Sequence, residues 1–335
     1  MTDINFTECT LKKSPDSVSD YGFTNYMYRA RCRDGFWHRA DILPYGEQNH
    51  PPQTTGARFA LTVCETLRIT KDLNGKAVIF RPDMYINRLC ESAKKEGLPA
   101  PEREGTLYAL KELIKIDKEF LGDGKTLFAS IMLTAIDGGI NPYPVNEAEL
   151  TITLECEDTK NKVSQSLIAN EDFTVPQAFT NSAMLLAAGA FSVYRAKEQG
   201  YSDCLWLDPT FKRYVVQTSG ANLFFRIGDT VISPEQYAHN GVTRDSALEL
   251  MRSWGIDVST RDLSMDELVS AYKSNTLCEV FSASTRGGIN PVVRIDYKDT
   301  QILLQEGKLA QKLSDTLKNI ELGSFNAVAG WTVRL

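Results

Sequence analysis

The chain has 335 residues, 42% of them hydrophobic and 24% charged, which is the composition of a folded protein long enough for two domains. Its formal net charge of -6, without a block of lysine and arginine, argues against nucleic acid as the main partner, because clustered cations bind phosphate backbones. No stretch resembles a signal peptide core or a membrane span, so we expect a cytoplasmic protein with no membrane contact.

The first half of the chain mixes strands and helices. FALTVCETLRIT and AVIFRP are strand-like, INRLCESAKKEG is a helix that ends at Gly97, and GTLYALKELIKIDKEFLG is an amphipathic helix. The strand-like runs LFASIMLTAI and AELTITLECE follow, separated by the loop DGGINPYPVNE. We therefore predict an N-terminal α+β domain over residues 1–169.

The periodic pattern is lost in SQSLIANEDFTVPQAFT, which predicts an interdomain linker over 170–180 and a second domain over 181–335. Strand-like runs in this domain are CLWLD, YVVQTSG, LFFRIGDTVIS and CEVFSAS, with a hairpin turn expected at Gly228. GVTRDSALELMRSWG predicts a helix with Thr243 as its N-cap, and Ser264 begins a capping box.

A further helix opens the second domain, in FTNSAMLLAAGAFSVYRAKEQG. The residues that recur on one face of this helix are Met184, Ala188, Phe191 and Arg195. Asn181 or Ser182 is the expected N-cap, because both side chains can accept a hydrogen bond from a free backbone N–H group. Gly200 is the expected end of the helix.

The cysteines and histidines of the chain form no recognisable site. Seven cysteines are spread singly without a C-x-x-C pair, which predicts neither a disulfide framework nor a metal site. The three histidines are His38, His50 and His239, and none lies in a motif that would support a Ser-His-Asp or Cys-His arrangement.

Two segments have the pattern of an anion site. Gly241-Val-Thr-Arg244 begins a helix, where free N–H groups and the helix dipole favour negative charge. Ser284-Thr-Arg-Gly-Gly288 follows a strand and offers backbone N–H groups beside a hydroxyl and a guanidinium. Because threonine caps and glycine turns are also ordinary structural features, either segment alone leaves both interpretations open.

Seven blocks occur in the order in which the branched-chain aminotransferase family has them: FALTVCETLR, FRPDMYINRL, GYSDCLWLD, SGANLFF, GVTRDSALEL, STRGGINPV and AGWTVRL. The chain resembles that family, the pyridoxal-phosphate (PLP) enzymes of fold type IV, over nearly its whole length. The resemblance implies the two-domain, D-amino acid aminotransferase-like fold: a small N-terminal α+β domain, a larger C-terminal pseudo-barrel domain, and the cofactor between them. It also implies a homodimer.

The resemblance carries a phosphate cup over to this chain. Arg88 matches the family's phosphate-binding arginine, Val242 and Thr243 match its backbone and hydroxyl donors, and Thr285 matches its second threonine. These residues would hold the phosphate of PLP or of pyridoxamine phosphate, or a substrate anion. The alternative is that the fold needs them as caps and turns.

The resemblance fails at the covalent chemistry. Counted back from GYSDCLWLD without a gap, the Schiff-base lysine of the family corresponds to Asn181, and an amide forms no imine and shuttles no proton. The family's tyrosine on the phenolic oxygen corresponds to Leu186, and its acidic residue on the pyridine nitrogen to Gln217, which does not raise the pKa of that nitrogen. Ser130 stands where the family tends to have an arginine. We therefore expect no covalently bound cofactor.

Three functions remain open. The first is a repurposed enzyme of specialised (secondary) metabolism that cyclises, isomerises or eliminates on a small molecule without covalent PLP chemistry. The second is residual aminotransferase-like activity on a branched-chain or related amino acid, with PLP or pyridoxamine phosphate bound noncovalently. The third is a catalytically inactive pseudoenzyme that binds a metabolite or a partner.

The candidate residues divide into two groups, and packing is the alternative role for each residue. The candidate catalytic residues are Asn181, Gln217, Arg286 and Tyr85. The candidate substrate-binding residues are Glu65, Thr218, Ser219 and Ser284. The two amides suit polarising a carbonyl, and the guanidinium of Arg286 suits a carboxylate or phosphate. No metal is expected.

Overall fold

The computed structural model describes residues 4–6, 22–38, 40–46, 50–138, 141–159, 162–174, 180–324 and 330–335, with backbone only for 4–6. It divides into two compact units. Unit 1 comprises Met1–Thr159, Thr180–Met184 and Asn319–Leu335, and unit 2 comprises Lys160–Phe179 and Leu185–Lys318. Part of the predicted linker, 175–179, lies outside the described residues, and 170–174 belong to a strand. The predicted domain bounds, 1–169 and 181–335, stay predictions.

The elements follow in chain order. The strands are β1 Ile4–Phe6, β2 Gly22–Arg33, β3 Phe36–Trp37, β4 Ala40–Pro44, β5 Thr62–Lys71, β6 Ala77–Phe80, β7 Lys125–Ala135, β8 Glu147–Asp158, β9 Gln165–Thr174, β10 Asp203–Leu207, β11 Tyr214–Thr218, β12 Asn222–Ile227, β13 Thr230–Ser233, β14 Asp257–Thr260, β15 Leu263–Ser264, β16 Leu277–Ser284, β17 Gly288–Tyr297, β18 Thr300–Leu303 and β19 Thr332–Arg334. The helices are α1 Thr55–Phe59, α2 Pro82–Lys95, α3 Arg103–Ile116, α4 Ala183–Glu198, α5 Val242–Ser253, α6 Met265–Lys273 and α7 Lys308–Glu321, with a short 3-10 turn at Lys118–Phe120.

Unit 1 is built on one sheet with the strand order β1-β4-β2-β8-β7-β5-β6-β19, and β3 pairs with β2. The pairs are antiparallel except for β1 with β4. Helix α2 packs against β5, and α3 packs against β2. Glu65 therefore lies in a central strand, opposite Ile131 of β7 and on the buried side of the sheet.

Unit 2 contains a closed ring of six strands. Its sheet runs β14-β13-β12-β16-β17-β9-β10-β11-β15, and an additional pairing of β11 with β12 closes the part from β12 to β11 on itself. Apolar side chains of these strands form its core, among them Leu205, Leu223, Phe225 and Val292. The ring is the pseudo-barrel that the family resemblance implies, and the expected mixed α and β architecture is confirmed.

Two local predictions at turns and caps are confirmed, and one is wrong. Gly228 has a φ of 58° in the turn between β12 and β13, which pair as a hairpin. Ser264 accepts a hydrogen bond from the N–H of Glu267 at 3.1 Å, as its predicted N-cap role requires, while the carboxylate of Glu267 binds Arg261 instead of completing the capping box. The N-cap of α5, however, is Gly241, and Thr243 lies inside the first turn of the helix.

Helix α4 forms as predicted, but the opposite face is buried. Met184 and Phe191 are 50% and 63% exposed. The residues that face the protein are Leu185, Gly189, Ser192 and Ala196. Small residues are needed there because a Cβ atom at Gly189 would come within 3.2 Å of the carbonyl oxygen of Ser219. The periodic spacing of apolar residues correctly predicts the position of the helix. The face that is buried is determined instead by close packing against the backbone.

The described residues include neither a membrane-spanning helix nor a cluster of metal-ligating side chains. None of the described helices is both long and apolar enough to cross a membrane. In the same part of the chain, no three side chains of His, Cys, Asp and Glu come together as a metal ion would require.

Candidate functional site

In unit 1 the site is organised by a short extended segment, residues 180–182, that lies along β5. The N–H of Cys64 donates to the carbonyl oxygen of Asn181 at 2.9 Å, and Ser182 forms an antiparallel bridge with Val63. The N–H of Asn181 donates to the hydroxyl of Ser92 on α2 at 3.4 Å. The backbone of Asn181 is thus held from both sides before α4 begins at Ala183.

Among the described residues, no hydrogen bond joins the side chain of Asn181 to the start of α4, and this side chain lies near enough to the carboxylate of Glu65 to lower its pKa. The buried hydroxyl of Ser182 has no hydrogen-bond partner among the described residues, so it does not cap the helix either. Both cap candidates of the sequence therefore serve other roles. Residues 180–182 are therefore held by contacts within unit 1 rather than by helix capping.

Glu65 is the centre of a charged cluster. Its side chain is fully buried, and it accepts two hydrogen bonds from Arg88, from Nε at 2.7 Å and from Nη2 at 2.5 Å. This two-pronged geometry is the strongest form of carboxylate-guanidinium pairing. The ring of the buried Tyr85 lies 5.4 Å from the guanidinium carbon of Arg88. The structure therefore brings together Glu65, Tyr85, Arg88 and Asn181.

Charge and burial act against each other in this cluster. Burial raises the pKa of Glu65, and the hydrogen bonds and charge of Arg88, with a smaller contribution from Asn181, lower it. Burial lowers the pKa of Arg88, but the contacts with Glu65 outweigh this and raise it. Burial and the charge of Glu65 raise the pKa of the neighbouring Cys64 to about 12, so this thiol stays protonated at neutral pH.

In unit 2 the candidate amide Gln217 binds backbone. Its Oε1 accepts from the N–H of His239 at 2.7 Å, and it is paired across β11 and β12 with Asn222, whose Nδ2 donates to the carbonyl oxygen of His239 at 2.7 Å. The two side chains hold both polar groups of a residue that lies two positions before the N-cap of α5. Gln217 thus positions the approach to the helix.

The start of α5 packs directly on Asn222. A Cβ atom at Gly241 would lie 2.3 Å from Oδ1 of Asn222, so this position needs glycine. Val242 and Thr243 are buried, and no side chain caps the helix. The first N–H groups of α5 are therefore not satisfied by an N-cap side chain, and this is the arrangement that suits an anion.

Two turns of unit 2 carry the remaining candidates. The hydroxyl of Thr218 accepts from the N–H of Ala221 at 3.1 Å, and that of Ser219 donates to Asp203 at 2.8 Å. In the turn after β16, the hydroxyl of Ser284 accepts from the N–H of Gly287 at 3.0 Å. The hydroxyls of Thr218 and Ser284 therefore hold their own turns, whereas that of Ser219 ties its turn to β10.

The second turn reaches the same end of the barrel as α5. Ala283 of β16 is paired with Asn222, so Ser284, Thr285 and Arg286 leave the sheet at the strand end where Gly241 packs. Arg286 is exposed, and Thr285 is half-buried. The elements thus bring the two predicted anion segments to one end of unit 2.

Sequence reasoning missed three residues that shape these clusters: Ser92, Asn222 and His239. Ser92 lies one turn after Arg88 on α2, and that spacing was a usable signal. Asn222 lies in the SGANLFF block, but nothing in the sequence indicates that it packs on Gly241. Of the other two positions that depart from the family pattern, Leu186 is 56% exposed, and Ser130 lies opposite Thr66 in the sheet.

A covalently bound PLP does not fit the described residues at position 181. Its aldehyde reacts with a primary amine, and the side chain there is an amide beside the buried carboxylate of Glu65. The N-terminal turn of α5 suits a phosphate, and Arg88 carries a suitable charge although Glu65 already binds one edge of its guanidinium. The residues thus fit an anion and not an imine.

Comparisons with known proteins agree with this architecture. The family described as amino-transferase class IV matches residues 62–295. A protein of Staphylococcus epidermidis named probable branched-chain-amino-acid aminotransferase is 30% identical, over 97% of this chain and 96% of that protein. The crystal structure of a branched-chain aminotransferase from Thermoproteus uzoniensis with norvaline superposes with a TM-score of 0.78 at 19% identity, covering 93% of this chain and 99% of that one. That of Thermobaculum terrenum in its PLP-form gives 0.74 at 18% identity, covering 93% and 98%.

Proposed function

Because the chain belongs to the class IV aminotransferase family, we propose that it is a repurposed member of it: an enzyme that acts on a small anionic molecule without forming an imine to PLP. The observation that supports this best is Asn181, an amide that lies beside the buried Glu65 and that we align with the lysine of the family. The reaction we propose is a cyclisation, isomerisation or elimination in specialised metabolism, since these need positioning and proton transfer rather than covalent capture.

Each cluster has its own part in this proposal. The N-terminal turn of α5, with Thr243 and the neighbouring Arg286, binds a carboxylate or phosphate of the substrate. Arg88 supplies positive charge at the other cluster, and the Asn181 amide polarises a carbonyl oxygen. Glu65 is the group of unit 1 that accepts a proton, because its carboxylate is buried and its pKa is raised.

A second candidate function has support of its own. The uncapped start of α5 with the buried Thr243 suits the phosphate of PLP or pyridoxamine phosphate bound noncovalently, and the relatives named above carry aminotransferase names. Against it stands Gln217, a neutral amide that binds the N–H of His239. Action in the cytoplasm as a homodimer stays a prediction of the sequence and the family resemblance.

Titration with PLP separates the two functions. We expect the purified protein to develop no aldimine absorbance with added PLP, and borohydride to attach no cofactor mass to it. A dialysable complex with stoichiometric PLP that converts an amino acid to its keto acid would replace our proposal with the second function.

A double variant tests how far the site has changed. Asn181→Lys with Gln217→Glu restores the amine and the acid, and we expect no borohydride-stable adduct on the introduced amine if the site has been rebuilt for another substrate. Asn181→Met is the matched control, since it has a chain of similar length without an amine. An adduct at position 181 in the double variant alone would show that the pocket still fits PLP and would contradict the rebuilt site.

A further inference from the structure

Unit 1 contains a hollow that lies outside the candidate site. It lies between β2, β3 and the start of α3, is partly open to solvent, and has a volume of about 40 Å³. The side chains that matter for its chemistry are Tyr28, Trp37, His38 and Glu102. We call it the α3 hollow. None of the residues assigned above to the proposed function lines it.

Tyr28 supplies a polar atom that the protein itself does not use. Its side chain is 6% exposed and lines the hollow, and no residue that the structure describes hydrogen-bonds to its hydroxyl. Burial and the nearby charge of Glu102 raise the pKa of Tyr28 to about 12, so the phenol stays neutral. A phenol hydroxyl both donates and accepts hydrogen bonds, so a molecule bound in the hollow can bind to it.

Glu102 supplies the charge. It is the N-cap of α3, and its Oε2 accepts from the N–H of Gly105 at 2.7 Å. The carboxylate of Glu102 carries a full negative charge, and the N-terminus of a helix carries roughly half a positive charge. The two together therefore leave a net negative charge beside the hollow. Among the described residues that line it, none is a lysine or arginine that would neutralise this carboxylate.

Trp37 supplies an aromatic wall. Its indole N–H donates a hydrogen bond to the carbonyl oxygen of Ala100 at 3.2 Å. This bond holds the ring beside the N-terminus of α3. The face of an indole ring attracts cations more strongly than that of any other side chain. An aromatic wall, a neutral hydroxyl and a carboxylate are together the recognition groups for an organic cation.

We infer that the α3 hollow binds a primary ammonium group, either of a free amine or of a lysine side chain. The ammonium donates to the hydroxyl of Tyr28 and to the carboxylate of Glu102, and its alkyl chain lies along the ring of Trp37. An ammonium fits better than a metal ion, because among the described residues no three metal-ligating side chains meet here. The inference is independent of the proposed function.

The test is a titration of the full chain with n-butylammonium. Binding is detected by the change in the indole resonances of the protein in NMR spectra. Glu102→Gln removes the charge but keeps an oxygen for the N–H of Gly105, and we expect affinity to fall about tenfold or more. Tyr28→Phe removes only the hydroxyl, and we expect a loss of roughly threefold to tenfold. Glu104→Gln, an exposed position in the same turn, is the matched control with unchanged affinity.

Butyrate and Nα-acetyl-lysine methylamide complete the design. Butyrate has the same alkyl length and the opposite charge, and we expect no binding. Tighter binding of the lysine derivative than of butylammonium identifies a protein lysine as the occupant, and the reverse order identifies a free amine. Equal binding of butyrate, an affinity unchanged in Glu102→Gln, or no saturable binding of butylammonium would overturn the inference. Thermal unfolding of each variant confirms that it is folded.

Discussion

The candidate residues of unit 1 and of unit 2 differ in what they bind. In unit 1, the buried carboxylate of Glu65 is paired with the half-buried guanidinium of Arg88. In unit 2, Gln217 and Thr218 bind backbone groups through neutral side chains. Glu65 and Arg88 therefore depend on each other, whereas Gln217 and Thr218 each hold a segment of backbone in place.

This difference has a consequence for substitutions. Removing one member of a buried ion pair leaves an uncompensated charge, which costs far more than the pair contributes. Removing a neutral side chain from a backbone contact leaves one N–H group unsatisfied, a smaller cost. The largest effects are therefore expected in unit 1.

Arg88→Met is the strongest test of the unit 1 cluster. It leaves the buried carboxylate of Glu65 unpaired, and we expect the free energy of unfolding to fall by about 3–5 kcal/mol at neutral pH. Denaturant unfolding measures this. Arg195→Met is the control, since Arg195 lies 3.8 Å from Asp172 on the surface and its loss should cost under about 1 kcal/mol.

The same variant has a predicted pH dependence. Without Arg88, the effect of burial on the pKa of Glu65 is opposed mainly by the smaller effect of Asn181, so the folded pKa lies further above the unfolded value. A carboxyl group whose pKa is higher in the folded than in the unfolded protein does not destabilise the fold below its unfolded pKa. It lowers the free energy of unfolding as pH rises through its folded pKa. The single variant Arg88→Met should therefore be less stable to unfolding than the double variant Arg88→Met, Glu65→Gln. This difference in the free energy of unfolding should shrink as pH is lowered. A difference independent of pH would contradict a charged Glu65.

The sequence allowed most of the architecture to be predicted but not the contacts of the site. Ordered blocks indicated the pseudo-barrel, and periodicity located α4. The contact between Cys64 and Asn181 joins residues 117 positions apart, and no local pattern encodes it. The buried face of α4 was equally hidden, because Gly189 packs by being small rather than by being apolar. The spacing of apolar residues in a sequence indicates packing through side chains, and it does not indicate contacts made by the backbone.

Gly241→Ala tests how closely unit 2 is packed at the start of α5. The new Cβ atom meets Oδ1 of Asn222 at 2.3 Å, and we expect a loss of about 1–3 kcal/mol from overpacking. Gly220→Ala is the control in the neighbouring turn, because a Cβ atom there meets nothing within 4 Å. Equal stability of both variants would show that Asn222 moves aside, and the close approach would then not define the helix start.

Gln217→Met gives the smallest expected effect and bears most directly on the difference between the units. Methionine has a similar volume but accepts no strong hydrogen bond, so the N–H of His239 loses its partner at 2.7 Å. We expect a loss of about 1 kcal/mol in denaturant unfolding, and none for the exposed Gln199→Met. Because the contact is to neutral backbone, the loss should not change between acid and neutral pH, in contrast to Arg88→Met. A loss as large as that of Arg88→Met, or one that depends on pH, would mean that Gln217 also contacts a charged group, and the two units would then follow the same rule.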